Sequence, residues 1–230
     1  PPDLFRSWGG GVMNEYAKAG LLRDITKYLA KDKFSDTIAE GPLGVYSYQG
    51  KVYGVPYTMG AVGLWYNKKI FRDNGIEPFQ TWDDLIAGCK KLKAAGITPI
   101  ALGGNDKWPG HFWWVYLAVR IGGKDAFDKA YGRQGGFSDA AFVEAGKKLK
   151  ELVDMYPFQK GFLGATYNDQ ASLVANGKAA MELMGQWAPS VQAQNTEDKK
   201  GLGDDLGFMP FPAVSGGAGK ITDAMGGGDG

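Results

Sequence analysis

The chain of 230 residues has one cysteine, Cys89, and one histidine, His111. A lone cysteine excludes an internal disulfide and a multi-cysteine zinc site, and one His with one distant Cys is no metal-ligand cluster. A Ser-His-Asp triad is poorly served, because His111 is the only imidazole and no Gly-x-Ser-x-Gly elbow occurs. Neither a Gly-x-x-x-x-Gly-Lys-Ser/Thr loop nor a Gly-x-Gly-x-x-Gly fingerprint is present to cradle phosphate. An excess of either charge is missing too. Basic residues number 26 and acidic 25, for a net charge of +1, which favours neither nucleic acid nor an anionic membrane. No run approaches the ~18 apolar residues of a membrane span, and no signal-peptide pattern is visible. The expectation is therefore no cofactor, no metal, no catalytic residue set and no nucleic-acid partner.

Glycine, by contrast, is plentiful. It fills 36 of 230 positions, roughly twice the usual share of about 7 %, and points to tight turns and backbone-lined sites. Hydrophobic content of 44 % and charge of 22 % are ordinary for a globular protein. The length suits one large domain or two small ones with a real core.

Read in order, residues 3–8 resemble a short strand, approached by Pro1 and Pro2 and followed by three glycines. Residues 12–19 are helical, with Gly20 as the closing C′ glycine, and short helices fit 21–30 and 34–39. Residues 46–56 have the composition of a hairpin turning at Gln49-Gly50. The apolar run 61–66 reads as a buried strand, feeding a helix over 68–74. Thr81-Trp-Asp-Asp84 has capping-box spacing, and behind it Leu85, Ile86, Cys89 and Leu92 share one helical face. A strand follows at 97–102. Ser138 can cap a helix over 139–155. A short helix fits 169–176, a strand 179–184, a helix from Trp187, and a last apolar run 206–211. Strands alternating with helices predict an α/β fold with a largely parallel sheet. The last residues are a Gly-rich stretch with no terminal helix, which suggests a part of a longer protein.

Five aromatic rings fall within 105–120, where a polar loop, Asn105-Asp-Lys-Trp108-Pro-Gly, turns helical near His111. Strand, loop and helix in that order put the loop where open α/β sheets bind ligands. Flat rings beside amides and carboxylates suit a ligand with apolar faces and hydroxyl edges, as a sugar has. For Trp113, Trp114 and Tyr116 simple burial is the competing reading, whereas Trp108 in a polar loop has less reason to pack. Trp8, Trp108 and Trp187 share one local grammar, each within two residues of Gly or Pro and followed by a helix. Together they suggest a shared cleft, with Asn105, Asp106 and Asp229 meeting the hydroxyls. The main rival is glycoside hydrolysis, which needs two carboxylates beside aromatic platforms; Asp106, Glu182 and Asp229 are its candidates. Glu182 alternates within a strand and reads better as a solvated strand face.

Several stretches taken in order resemble the extracellular solute-binding proteins of ABC transporters, in the sugar-binding group that includes maltose-binding protein. They are Pro2-Asp-Leu-Phe…Trp8, Gly20-Leu-Leu-Arg-Asp-Ile-Thr26, Tyr48-Gln-Gly-Lys-Val-Tyr-Gly-Val-Pro-Tyr57, Leu64-Trp-Tyr-Asn-Lys-Lys-Ile-Phe71, Thr81-Trp-Asp-Asp-Leu85 and Asn176-Gly-Lys-Ala-Ala-Met-Glu-Leu-Met-Gly-Gln-Trp187. The resemblance covers nearly the whole chain, and the last stretch is its most specific part. It implies two α/β lobes that close over sugar at their interface, here incomplete. Residues 1–60 would be part of the first lobe, 61–220 a nearly whole second lobe, and 221–230 the return crossing. It also implies an extracellular or periplasmic monomer, free or lipid-anchored, that hands an oligosaccharide or monosaccharide to membrane permease subunits. Trp8 would match the family's first-lobe aromatic, and Trp187 the ring after the Met-Gly-x-Trp strand end. The Phe112–Trp113 region would supply a further second-lobe ring, with Asp229 a polar contact near the hinge. A sugar-active enzyme or lectin-like module is the alternative.

Overall fold

The computed structural model describes residues 2–230; Pro1, expected on the approach to a first strand, lies outside them. In chain order the elements begin with α1 (Gly11–Lys18), α2 (Thr26–Ala30), α3 (Glu40–Val45), β1 (Ser47–Tyr48), β2 (Lys51–Val52) and β3 (Gly60–Ala61). Next come β4 (Gly63–Asn67), α4 (Lys68–Asp73), α5 (Trp82–Ala94), β5 (Thr98–Ile100), α6 (Trp108–Tyr131), α7 (Ala140–Asp154) and α8 (Tyr167–Ala175). Last are β6 (Ala179–Met184), α9 (Ala188–Gln194), β7 (Leu206–Met209) and β8 (Gly226–Gly227). They fall into two compact units, one of residues up to Ala61 with Gly226–Gly230, the other Val62–Met225. None of the described helices is long and apolar enough to cross a membrane.

The second unit is built on a four-stranded sheet in the order β5-β6-β4-β7. Only β5 and β6 are parallel, with Ile100 opposite Met181; β4 runs antiparallel to both β6 and β7. The expected largely parallel sheet is therefore a mixed one. Alternation of strands with helices does not fix strand sense: two helices, α4 and α5, rather than one crossover helix, separate β4 from β5, and β5 starts in the opposite direction. Local signals hold well here. Thr81 and Asp84 form the capping box of α5, with Thr81 N–H to Asp84 Oδ2 at 2.8 Å and Asp84 N–H to Thr81 Oγ1 at 3.2 Å. Leu85, Ile86, Cys89 and Leu92 are all buried behind it. Ser138 does not cap α7; Asp139 holds that place, its carboxylate accepting from Gly136 N–H at 3.0 Å.

The core joins Leu64 and Tyr66 of β4 to Trp82, Leu92, Ile100, Trp113, Leu117, Leu152 and Phe211. Tyr116 stacks on Phe211, centroids 4.7 Å apart and planes 5° from parallel. Arg120 is 1 % exposed and spends its guanidinium on the carbonyls of Phe211, Pro212, Ile221 and Asp223. A buried cation is tolerable only when its donors are used, and this one ties the 211–225 segment to α6. Met225 is fastened as well, its N–H donating to Tyr116 Oη at 3.1 Å and its carbonyl accepting from Val62 N–H at 2.9 Å. The unit therefore runs to Met225, where the return segment was expected from 221.

The first unit has a small core of Met13, Leu29, Tyr46 and Val52. The expected hairpin is present, Tyr48 opposite Lys51 around Gln49-Gly50. β3 pairs with β8, Ala61 opposite Gly226. Residues 3–7 form no strand: Leu4 is 91 % exposed, and regular pairing near here is limited to a bridge between Trp8 and Asp229. The predicted helices shrink to α2 over part of 21–30 and to 3₁₀ turns within Lys31–Thr37, broken at Asp32 and Lys33, whose φ angles are 55° and 56°.

Candidate functional site

Three connections in the second unit bring aromatic rings together. Trp108 opens α6, Tyr167 opens α8, and Trp187 is the residue before α9. The Trp108 ring lies 5.1 Å from Tyr167, 5.7 Å from Phe112 and 6.3 Å from Trp187 by centroids. Trp108 and Trp187 keep about a third of their surface open, 37 % and 36 %. Trp108 thus starts a helix rather than sitting in a loop, and Lys107, at φ 65°, makes the sharp entry.

The backbone is close-fitted around these rings. A side chain on Gly103 would place Cβ 2.6 Å from the Thr166 carbonyl and 2.7 Å from the Tyr167 nitrogen, so only glycine lets this turn lie against the start of α8. Asp106 then accepts from Tyr167 N–H at 2.8 Å, and Asn105 N–H donates to the Ala165 carbonyl at 2.9 Å. The Asn105 amide also reaches Asp106 Oδ1 at 3.3 Å. At the far side, a Cβ on Gly185 would meet the Trp187 ring at 2.2 Å. The strand-end glycine is what lets that indole turn back against its own backbone.

Beneath the rings lies Glu182, with no solvent exposure. The solvated strand face expected for it is not found, because β6 is an inner strand of the sheet and all six of its residues are buried. Gln170 Nε2 donates to Glu182 Oε2 at 2.7 Å and Gln192 Nε2 to Oε1 at 2.6 Å, while Gln170 Oε1 accepts from Gly103 N–H at 2.8 Å. Burial pushes the Glu182 carboxyl up to about 7, against the pull of the two amides. Burial first, and the Glu182 charge second, raise the Tyr167 hydroxyl above its usual range. The Trp187 indole opposes this from nearby, although no group among the described residues meets hydrogen-bond geometry with that buried hydroxyl. Walled in by amides, Glu182 cannot serve as the exposed carboxylate of a glycosidase pair. The Cys89 thiol is likewise buried and pushed up to about 12, outside the range of a reactive cysteine.

Of the second-unit residues picked from sequence, Asn105, Asp106, Trp108 and Trp187 come together, with Phe112 behind them at 7 % exposure. His111 is exposed in the first turn of α6, its Nδ1 2.6 Å from the Trp108 carbonyl oxygen. Trp113 is a correction: at 1 % exposure it packs edge-on against Phe211 in the core and has no face to offer a ligand. Tyr167, Gln170 and Gln192 join this cluster without being expected from the sequence. Thr166 and Asp169 form a capping box like the one at 81–84, and that spacing would have placed Tyr167 at a helix start.

In the first unit, Trp8 is 68 % exposed and pairs through its backbone with Asp229. The Asp229 carboxylate is ion-paired with Arg6, whose guanidinium also lies 5.9 Å from the Tyr57 ring centre. Asp229 N–H donates to Thr58 Oγ1 at 3.1 Å, and its carbonyl accepts from Tyr57 N–H at 3.0 Å. Nothing in the sequence marks Arg6, and Tyr57 stands there only as the end of a stretch that resembles the family.

Comparisons with known proteins agree on one group. The family model of the bacterial extracellular solute-binding protein matches residues 1–230. The multiple sugar-binding protein of Streptococcus mutans is 30 % identical over 97 % of this chain and 52 % of its own length. A solved structure from work on xylan utilization by the thermophilic bacterium Caldanaerobius polysaccharolyticus superposes with a TM-score of 0.91 at 30 % identity, over 99 % of this chain and 58 % of that one. A chitin oligosaccharide binding protein gives a TM-score of 0.87 at 30 % identity, over 100 % of this chain and 56 % of that one. The chain spans about half the length of the curated relatives it matches.

Proposed function

The chain belongs to the bacterial extracellular solute-binding proteins, and from that premise we propose that the full polypeptide is the carbohydrate-capturing component of an ABC-type importer. It acts outside the cytoplasmic membrane as a non-catalytic monomer and passes its sugar to membrane permease subunits. The observation that carries this reading is the half-open pair Trp108 and Trp187, packed round Tyr167 with Asp106 and Asn105 at the edge. Indole faces supply apolar contact to pyranose rings and a carboxylate fixes hydroxyl orientation. Two open indoles with centroids 6.3 Å apart suit adjacent residues of an oligosaccharide better than one small sugar. Relatives named for chitin oligosaccharide binding and for xylan utilization support the same class. Trp8, and Asp229 oriented by Arg6, are the contacts we assign to the first unit, and His111 a rim contact.

The test is calorimetric titration of the full polypeptide with xylo-oligosaccharides, chito-oligosaccharides and raffinose, with Trp187→Ala in parallel. We expect saturable binding of one class, no product, and at least about a tenfold loss in the variant, the ~1.4 kcal/mol of a modest hot spot. Released product would make the protein an enzyme, and undiminished binding by Trp187→Ala would move the site elsewhere.

A further inference from the structure

We propose that Glu182 is a positioning residue for the tryptophan site: with the side-chain amides of Gln170 and Gln192 it forms a buried clasp that sets where Trp108, Tyr167 and Trp187 are presented. The inference rests on the carbohydrate reading above for its ligand, though not for its geometry.

A carboxyl with no exposure, in an inner strand, is an expensive choice where an apolar side chain of similar size costs less. What the carboxyl adds is a fork. Its two oxygens take one amide each, Gln170 Nε2 at 2.7 Å and Gln192 Nε2 at 2.6 Å. Gln170 is three residues beyond Tyr167 on α8, one turn along the same face, and through Oε1 it also holds Gly103 N–H at 2.8 Å. Gly103 begins the turn whose Asp106 caps Tyr167 N–H and whose end is Trp108. Gln192 lies on α9, the helix that Trp187 precedes. One carboxyl therefore joins the three segments that carry the rings, and both glutamines are fully buried, at 1 % and 0 % exposure. Gln192 Oε1 is buried with no partner among the described residues, so turning that amide over presents an acceptor to a donor at position 182. Glutamine there can keep both contacts, whereas leucine keeps neither.

The experiment compares Glu182→Gln, Glu182→Leu and Gln192→Leu in the full polypeptide. Near-ultraviolet circular dichroism of the ligand-free protein reports the indole environment, and titration with chitotriose and xylotetraose reports affinity. Glu182→Gln should match the parent spectrum and bind within about threefold of it. Glu182→Leu, with an unchanged far-ultraviolet spectrum, should alter the tryptophan bands and lose at least about tenfold, or 1.4 kcal/mol. Gln192→Leu should alter the same bands and decides the matter if the leucine variant at 182 does not fold. Folded leucine variants with parental spectra and affinity would overturn the proposal, as would a folded Glu182→Gln as impaired as Glu182→Leu. If the parent binds neither sugar, the carbohydrate reading is in difficulty while the ligand-free spectra still decide the clasp.

Discussion

The two units hold their tryptophans in opposite ways. Trp108 and Trp187 are set by side chains: neighbouring rings, the excluded Cβ of Gly103 and Gly185, and a buried carboxyl–amide network. Trp8 is set by backbone, through its bridge to Asp229 and the Ser7–Gly230 pairing, while its ring stands 68 % exposed. Local stability follows buried apolar contact and protected hydrogen bonds. The second unit therefore presents a preformed surface, and the first a ring whose place depends on a few backbone bonds.

The largest expected effect comes from removing a ring from the second unit's core. Trp113 is 1 % exposed and packs on Phe211 at 5.8 Å. Trp113→Ala should cost about 3–5 kcal/mol by lost transfer energy and the cavity left behind, read as a lowered urea midpoint. A cost below about 1 kcal/mol would mean that the core repacks freely and that the second unit is less rigid than its burial indicates.

A somewhat smaller effect comes from Glu182 and pH. Its carboxyl titrates near 7 in the folded protein against 4.5 for the ordinary group. The folded state holds the proton more tightly, so this contribution is fully present below pH 4.5 and is lost as pH rises to about 7. The loss is on the order of 3 kcal/mol at most, at 1.36 kcal/mol per unit. Asp84, Asp169 and Asp24 are shifted downwards by hydrogen bonds at helix starts and turns, and theirs is the opposite dependence, lost only as pH falls below the usual carboxylate range. Stability of the parent minus that of Glu182→Gln, followed from pH 4 to 8, should decline across 4.5–7 and then level off. A flat difference would show that the carboxyl ionises without cost.

Much of this was legible in the sequence. The α5 capping box, the buried Leu85–Leu92 face, the hairpin at Gln49-Gly50 and strand β6 all follow from local spacing, and local spacing is what determines them. The placement of Trp108 and Trp187 at element starts with part of each ring open follows as well, since each has Gly or Pro within two residues. What was not legible is set by distant partners. Glu182 alternates like a solvent-facing residue, but strands on both sides and helices above close over it. Phe112 and Trp113 are neighbours in sequence and both are buried in the core, but one helical step turns Phe112 toward Trp108 and Trp113 toward Phe211. Arg6 meets Asp229 across the length of the chain, and no local pattern announces such a pair. The sheet's mixed sense was lost for the same reason, since alternation reports order and not direction.

The smallest expected effect belongs to the exposed ring of the first unit. Trp8→Ala removes a ring that is two-thirds in solvent and whose backbone bridge to Asp229 does not need the side chain. The change should shift stability by no more than about 0.5 kcal/mol, as surface substitutions do, and leave the near-ultraviolet bands of Trp108 and Trp187 in place. Affinity for the oligosaccharide that the full polypeptide binds should still fall about fivefold, roughly 1 kcal/mol, because an exposed indole of this kind has work to do only when a ligand covers it. Calorimetry and urea denaturation on the same variant separate the two effects. A large stability loss with unchanged affinity would make Trp8 a packing residue, and the ring–ligand contact assigned to the first unit would then have to lie on Tyr57, the 60 % exposed ring beside Arg6.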